Sequence, residues 1–155
     1  MPQLFTLREQ VGAKMSDEWY TPKELFDQLD VSFDLDVASP IDSKSHVPAS
    51  RRYTIEDDGL AQHWEGRVWM NPPYSKPSPW VTKWLEHGNG LALLPMAKSR
   101  WFNELMQTNA SFVLLPSTFK FDSPDGKKLS LMMGSTLWAI GDENVKTIAK
   151  LGRVR

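Results

Sequence analysis

The sequence contains no cysteine and only three histidines, His46, His63 and His87, which lie far apart along the chain. Without cysteine there are no disulfide bonds, thiolate metal sites or cysteine nucleophiles, and the scattered histidines predict no metal cluster. No apolar run approaches the length of a membrane span, and residues 1–16 mix charged with apolar residues, unlike a signal peptide. We therefore expect a cytoplasmic protein without a metal or a membrane segment.

The length and the composition favour one well-buried domain. The chain has 155 residues, of which 41% are hydrophobic and 24% charged, as is ordinary for a globular protein. Residues 1–18 show little periodicity and predict an N-terminal extension, ordered by contact with a ligand or partner. Residues 19–155 are expected to form the functional domain.

The net charge of −1 conceals two halves of opposite sign. Residues 1–75 hold 7 Lys and Arg against 13 Asp and Glu, whereas residues 76–155 hold 11 against 6. An acidic half suits a cationic cofactor and a basic half suits a phosphate backbone. By charge counting alone, an unevenly solvated surface explains the asymmetry equally well.

The most informative stretch is a short hydrophobic segment, Val68–Met70, that runs directly into Asn71, Pro72, Pro73 and Tyr74. Consecutive prolines fix two φ angles and remove two N–H donors, so the carbonyls around them stay outside a regular ladder. The asparagine adds an amide donor and acceptor, and the tyrosine adds an aromatic face with a polar tip. These groups suit a planar amine on a ring, although a surface turn is the simpler alternative.

A helix is predicted after Trp19 and Tyr20. Thr21 is expected to cap it, Pro22 to occupy its first turn and Glu24 to close a capping box. A helix start preceded by two aromatic residues is also suited to a carboxylate. The segment is therefore a candidate binding site for the carboxylate of a ligand, and the helix cap is the alternative.

Alternation over Ser32–Val37 predicts a strand with one apolar face. Ligands of open α/β sheets bind beyond the carboxyl ends of strands, so Asp36, Ala38 and Ser39 are candidate cofactor residues. The segment lacks a glycine-rich fingerprint. In the alternative interpretation, Asp34 and Asp36 form the solvent face of the strand.

Three acids, Glu56, Asp57 and Asp58, precede a turn glycine. Such a cluster is typical of a solvated turn. Its position shortly before the Asn71 strand instead favours a carboxylate that contacts a bound ligand. We select Asp58 over Asp57.

The remaining chain alternates helices and strands. We expect a loop over residues 40–52, a short strand over 53–55, a helix from Ser78 to Gly88 and a helix capped by Ser99. Strands are expected over residues 91–95, 111–115 and 131–140, the last closing the sheet, and a final helix over 143–151. Trp84 is assigned to the core, and Trp80 either packs under the two prolines or walls a base pocket.

Residues 119–130 predict a hairpin with a basic tip around Ser123-Pro124-Asp125-Gly126. It is the candidate DNA-contact insertion. The candidate DNA-binding residues are Ser75, Lys98, Arg100, Lys120, Lys127 and Lys128. For Lys98 and Arg100, solvated surface charge is an equal alternative.

Together these segments resemble the small phage-type DNA N-6-adenine methyltransferase (Dam) family over roughly residues 19–140. The resemblance rests on an ordered set of short motifs: Trp19-x-Thr21-Pro22, Asp36-Val37-Ala38-Ser39, Tyr53-Thr54, Asp58-Gly59-Leu60, Trp64, Val68 to Ser75, Trp80, Leu94-Pro95 and Trp101-Phe102. It implies a phage- or prophage-encoded enzyme without a large separate target-recognition domain. A role in evading host restriction is a further expectation.

The resemblance implies an α/β, Rossmann-like fold in a single three-layer domain that uses S-adenosylmethionine and double-stranded DNA. The side chain of Asn71 and the carbonyl of Pro72 would hold the adenine amine, within a catalytic loop that includes Pro73, and Tyr74 would stack on the flipped base. Trp19, Thr21, Pro22, Asp36, Ala38, Ser39, Asp58 and Asn71 would contact the cofactor. Methylation of RNA adenine, cytosine or a protein amide, and a nucleic-acid-binding module without activity, are the alternatives.

Overall fold

The computed structural model describes residues 20–42, 44–123, 126–131 and 133–155. The predicted extension over residues 1–18, the candidate cofactor residue Trp19, and the hairpin residues Pro124 and Asp125 lie outside the described residues. The predictions for these positions therefore stay predictions.

Helices and strands alternate along the chain. The helices are α1 (Lys23–Leu29), α2 (Ser78–His87), α3 (Arg100–Leu105) and α4 (Asp142–Ile148), with 3-10 turns at Gly59–Ala61 and Ala149–Leu151. The strands are β1 (Phe33–Asp36), β2 (Ala49–Arg52), β3 (Val68–Met70), β4 (Gly90–Pro95), β5 (Ser111–Leu114), β6 (Phe121–Asp122), β7 (Lys128–Leu129) and β8 (Ser135–Ile140).

Six strands form one mostly parallel sheet in the order β2-β1-β3-β4-β8-β5. The neighbours from β2 to β4 are parallel, and β8 is antiparallel to both β4 and β5. The predicted α/β class is thus confirmed. The expectation that β8 closes the sheet is wrong, because it lies between two strands. Its apolar residues are buried on both faces, as an interior position requires.

Two hydrophobic clusters pack on the sheet and use alternate residues of its strands. One cluster contains Trp69, Leu91 and Leu93 and receives the apolar sides of α1 and α4. The other contains Val68, Met70, Ala92 and Leu94 and receives those of α2 and α3, including Trp84 at 0% exposure. Because side chains alternate along a strand, the sheet is covered on both faces. The assignment of Trp84 to the core is confirmed.

The helix ends differ from the predicted caps. No side chain caps α1: Pro22 is its extended N-cap residue, so the predicted box of Thr21 and Glu24 is wrong. Pro77 precedes α2, which makes Ser78 the first helical residue rather than its cap, and Ser99 precedes α3 without a side-chain cap bond.

The predicted loop over 40–52 contains the edge strand β2, and the expected strand over 53–55 is absent from the described structure. Alternation did not reveal β2 because its last three residues are polar and exposed, as edge strands permit. The strand ends where the Asp57 carboxylate accepts the Thr54 N–H at 2.8 Å and forms a tight turn.

The predicted hairpin is confirmed as the antiparallel pair β6 and β7, with Phe121 opposite Leu129 and Asp122 opposite Lys128. Because β8 is antiparallel to both β4 and β5, β5 runs in the same direction as β4. The hairpin connects the carboxyl end of β5 to the start of β8. The hairpin therefore lies near the same edge of the sheet as the carboxyl ends of β1, β3 and β4.

Candidate active site at the carboxyl edge of the sheet

The chain changes its direction of travel across the sheet at β1. It moves outward from β1 to β2 and then returns to the other side of β1 to form β3 and β4. Open α/β sheets bind ligands beyond the carboxyl ends of strands at such a switch point. There β1 ends at Asp36 and β3 ends directly before Asn71, so the predicted cofactor and catalytic segments begin side by side.

Asn71 is half-buried, and its amide nitrogen lies 3.5 Å from the hydroxyl oxygen of Thr21, which is 5% exposed. Among the described residues, neither the Asn71 Oδ1 atom nor the Pro72 carbonyl oxygen accepts a hydrogen bond. Two oxygen acceptors at the end of β3 are thus available to an amine. These are the two groups that the sequence selected for that role.

The two prolines of this loop have different environments. Pro72 is buried beneath the loop and Pro73 is exposed, and the Pro73 carbonyl accepts the Lys76 N–H at 3.2 Å. Since proline fixes φ, the chain leaves β3 in one direction and closes a turn within four residues. The loop conformation is therefore determined locally, before any ligand binds.

Tyr74 is half-buried, and its hydroxyl donates a hydrogen bond to the Leu93 carbonyl at 2.9 Å. Leu93 is the first residue of β4 beyond the part that pairs with β3. The ring meets Phe121 of the hairpin edge to face at 6.5 Å. Burial raises the pKa of the Tyr74 hydroxyl well above its usual value of 10, so the group stays protonated. Stacking on a flipped base stays a prediction.

The Asp36 side chain is buried, with 2% of it exposed, at the end of β1. One carboxylate oxygen accepts the Ala38 N–H at 3.2 Å, and the other lies 3.6 Å from the Arg52 guanidinium. Burial raises the pKa of Asp36 to about 7, against the opposing effects of the Ala38 N–H, Arg52 and Ser39. Asp36 is therefore not on a solvent face, whereas Asp34 is exposed and accepts the Arg67 N–H at 2.7 Å.

Arg52 belongs to this site and was not selected from the sequence. Its guanidinium donates to the Val47 carbonyl at 2.7 Å and to the Ser45 hydroxyl at 3.3 Å, besides facing Asp36. It is opposite Asp36 in the register of β1 and β2. No local pattern connects positions 16 residues apart, so the sheet register was needed to find it.

The turn after β2 brings Asp58 and Gly59 to the same edge. Asp58 is exposed and has a φ of 56°, and a Cβ atom on Gly59 would lie 2.2 Å from the Val37 carbonyl oxygen. Glycine is thus required for the turn to approach the end of β1. Asp57 is engaged by Thr54 at 2.8 Å, which leaves Asp58 as the better placed carboxylate. Its contact with a cofactor stays a prediction.

Trp80 is half-buried and stacks on Trp64, with ring centroids 6.4 Å apart and an interplanar angle of 27°. Its ring also lies against Gly59, and the Trp64 indole donates to the Gly59 carbonyl at 2.9 Å. The two indoles thus support the turn that carries Asp58. A further role of Trp80 in a base pocket stays a prediction.

The candidate DNA-binding residues Ser75, Lys98, Arg100, Lys120, Lys127 and Lys128 are all exposed. They lie in the loop after β3, beyond the end of β4, and in the hairpin region, all at the carboxyl edge. Arg100 forms an ion pair with Glu104 at 2.9 Å, and Lys128 contacts the Asp122 carboxylate. Within the part of the chain that the structure describes, no group of three or more His, Cys, Asp or Glu side chains is placed to hold a metal ion.

The family model of DNA N-6-adenine-methyltransferase (Dam) matches residues 9–136. The chain belongs to the Dam family. A DNA N-6-adenine-methyltransferase of Escherichia phage T1 is 30% identical over 143 residues, which cover 83% of this chain and 59% of that protein. A DNA N-6-adenine-methyltransferase of Haemophilus phage HP1 is 27% identical over 120 residues, 69% of this chain and 68% of that protein. No solved structure matches.

The chain thus spans about three fifths of the length of its phage T1 relative. The match to the Dam family includes all the candidate cofactor and catalytic residues, and the hairpin with its lysines. Among the described helices, none combines the length and the apolar character needed to cross a membrane.

Proposed function

We propose that this chain transfers a methyl group from S-adenosylmethionine to the exocyclic N6 amine of an adenine flipped out of double-stranded DNA. The observation that carries the proposal is the pair of unpartnered acceptors, Asn71 Oδ1 and the Pro72 carbonyl, at the switch point of the sheet. Membership of the Dam family supports the reaction and the DNA substrate.

Two acceptors are the groups that an exocyclic amine requires. An amine presents two N–H donors, and two hydrogen bonds to fixed oxygens orient its lone pair away from the plane of the base. The new N–C bond would form as the bond between the methyl group and the sulfonium sulfur breaks, which releases a neutral thioether. The nitrogen would gain positive charge, which the same two oxygens would stabilise. One amine proton then leaves to solvent, and no covalent intermediate with the protein is needed.

The residues near the acceptors fit S-adenosylmethionine, which supplies an electrophilic methyl group on a sulfonium. Asp36 and Asp58 bring carboxylates to the ends of β1 and the following turn, where a cationic ligand is favoured. Ala38 and Ser39 are small, so the cofactor can approach the backbone closely there. In dinucleotide-binding folds a glycine-rich loop has this role. Thr21 and Pro22 are buried beside this edge. The parallel order β2-β1-β3-β4 supports the proposal of a Rossmann-like, doubly wound sheet.

Double-stranded DNA would approach the carboxyl edge, where Lys98 and Arg100 follow β4 and the hairpin carries three lysines. Residues 76–155 hold 11 basic and 6 acidic residues, which supports an attraction to phosphates. Ser75 follows Asn71 by four residues and is exposed, so it is available to contact the DNA.

Incubation with S-adenosylmethionine labelled on its methyl group tests the proposal. Unmethylated duplex DNA is digested to nucleosides after the reaction, and the labelled product is identified by mass spectrometry. We expect N6-methyladenine, and no label with DNA that lacks adenine. Label in cytosine, or in RNA alone, would show that the substrate is cytosine or RNA instead of DNA adenine. Folded protein that neither binds the cofactor nor transfers methyl would contradict the proposal.

A further inference from the structure

An open cleft of about 570 Å³ lies between the hairpin and the loop after β1. We call it the hairpin cleft. Its lining includes Tyr20, Lys44, His46, Asp122, Ser123 and Lys128. None of these except Lys128 is among the residues selected from the sequence. The volume is within the range of ligand pockets and far exceeds that of a single ion.

Tyr20 holds both walls of the hairpin cleft. Its N–H donates to the Asp122 carbonyl at 2.6 Å, and its carbonyl accepts the Asp122 N–H at 2.9 Å, which fixes the hairpin wall. Its hydroxyl donates to the Asp42 carboxylate, whose other oxygen accepts the Lys44 N–H at 3.0 Å. This hydrogen bond from Tyr20 is the main cause of a lowered pKa of Asp42. The walls are thus set relative to each other by one residue.

The walls of the cleft carry donors and acceptors together. Lys44, His46 and Lys128 supply N–H groups, and the Asp122 carboxylate, which contacts Lys128, supplies acceptors. The His46 ring meets Tyr20 edge to face at 6.5 Å. A phosphate has only acceptors and is repelled by a carboxylate, whereas a base edge presents donors and acceptors side by side. The mixture is therefore suited to a base rather than to the DNA backbone.

The cleft adjoins the amine acceptors. Thr21 follows Tyr20 directly, and its hydroxyl lies 3.5 Å from the Asn71 amide nitrogen. Because Tyr20 lines the cleft and Thr21 contacts Asn71, the cleft and the amine acceptors are joined by two consecutive residues.

From these relationships we infer that the hairpin cleft binds the edge of a base that flanks the target adenine, and so sets part of the recognition sequence. The inference rests on the proposed function. It assigns a specificity role to His46, Lys44 and Asp122, and a positioning role to Tyr20.

Selection from a pool of randomised duplexes tests this inference without requiring catalysis. Full-length wild type and the variants His46→Ala, Lys44→Ala and Asp122→Asn are each used to capture DNA in the presence of S-adenosylmethionine, and the bound DNA is sequenced. Lys146→Ala is the matched control, because Lys146 is exposed on α4 and pairs with Glu143 at 3.3 Å. His46 and Lys44 are exposed, so their truncation leaves the core intact.

We expect the wild type to enrich one sequence, and at least one cleft variant to lose discrimination about tenfold at a single base position while the others are kept. Lys146→Ala should enrich the wild-type sequence. An even loss of affinity over all sequences, an unchanged preference in all three variants, or no enrichment by the wild type would each overturn the inference. A wild type that enriches a sequence but does not methylate it would contradict the proposed function and leave the cleft as a reading site.

Discussion

The amide nitrogen of Asn71 lies 3.5 Å from the hydroxyl oxygen of Thr21, 50 residues earlier in the chain. This contact joins the segment before α1 to the loop after β3. It also directs the Nδ2 atom of Asn71 toward the protein, so that Oδ1 is the atom left for an amine. The orientation of the asparagine is thus determined by a residue that was selected only as a cap or a cofactor contact.

Replacement of Asn71 by alanine removes one of the two proposed amine acceptors. Loss of one such hydrogen bond in an active site typically costs about 10²–10³ in kcat. We expect a decrease of that size, with the dissociation constant of S-adenosylmethionine within about threefold of wild type, measured by calorimetry. Asn103→Ala, at an exposed position of α3, is the control. Turnover of Asn71→Ala within a few fold of wild type would remove Asn71 from the mechanism.

The Thr21→Val variant keeps the shape of the side chain and removes the hydroxyl that faces Asn71. The amide then loses a partner of modest strength, and we expect kcat to fall roughly three- to tenfold, in line with a hydrogen bond of about 1 kcal/mol. Thr21→Ser should restore the rate. If the main change is instead in the affinity for S-adenosylmethionine, Thr21 contacts the cofactor and does not position Asn71.

The buried Asp36 carboxyl makes the stability depend on pH. Its pKa is raised from 3.8 to about 7, so the folded protein holds this proton more tightly than the unfolded chain. Its contribution is complete below about pH 4 and is lost as the pH rises through 7. Asp36→Asn should therefore be more stable than wild type at pH 8, by roughly 1–3 kcal/mol, with a smaller difference at pH 5. Urea unfolding at the two pH values measures this. Equal differences would contradict it.

Arg52→Gln removes the cation that faces Asp36, so the pKa of Asp36 should rise further above 7. Less of the carboxylate is then ionised at neutral pH, and a cationic cofactor loses its partner. We expect about tenfold weaker binding of S-adenosylmethionine at pH 7, with partial recovery at pH 8.5. Arg51→Gln is the matched control, since Arg51 is the preceding residue and faces Glu65 at 3.5 Å. A pH-independent loss of binding would assign Arg52 a purely structural role.

Tyr74→Phe separates the two properties of this tyrosine. It leaves the Leu93 carbonyl without its donor and should lower the free energy of unfolding by about 1–2 kcal/mol. If the ring stacks on the base, kcat should stay within about threefold of wild type in Tyr74→Phe and fall at least tenfold in Tyr74→Leu. Equal rates in both variants would contradict stacking.

The main elements of the site followed from local sequence. The short apolar run before Asn71 predicts β3, and two prolines fix the loop after it whatever surrounds them. Alternation located β1, continuous apolar residues located β4, and a turn between lysine-rich segments located the hairpin. The candidate residues at strand ends converge because parallel strands place their carboxyl ends at one edge.

The caps and the edge strand were not predictable in the same way. Thr21 has the chemistry of a cap, but tertiary packing brings Asn71 to its hydroxyl, and α1 begins without it. The composition of β2 does not resemble that of a strand either. β2 is an edge strand that is held by its pairing with β1, so it needs no apolar pattern of its own. The apolar sequence of β8 predicts a buried strand but not its position in the sheet. Its pairing with β4 on one side and β5 on the other shows that it is an interior strand.

The sequence by itself therefore determined the α/β class, the proline-fixed loop after β3 and the family, because these depend on short-range periodicity, on proline geometry and on the order of motifs. Tertiary structure decided which of two aspartates is buried, that Arg52 faces Asp36, and that Tyr20 holds the two walls of the hairpin cleft. These relationships join residues 16 to 102 positions apart. Burial and sheet register set them, and neither property is encoded in a local pattern.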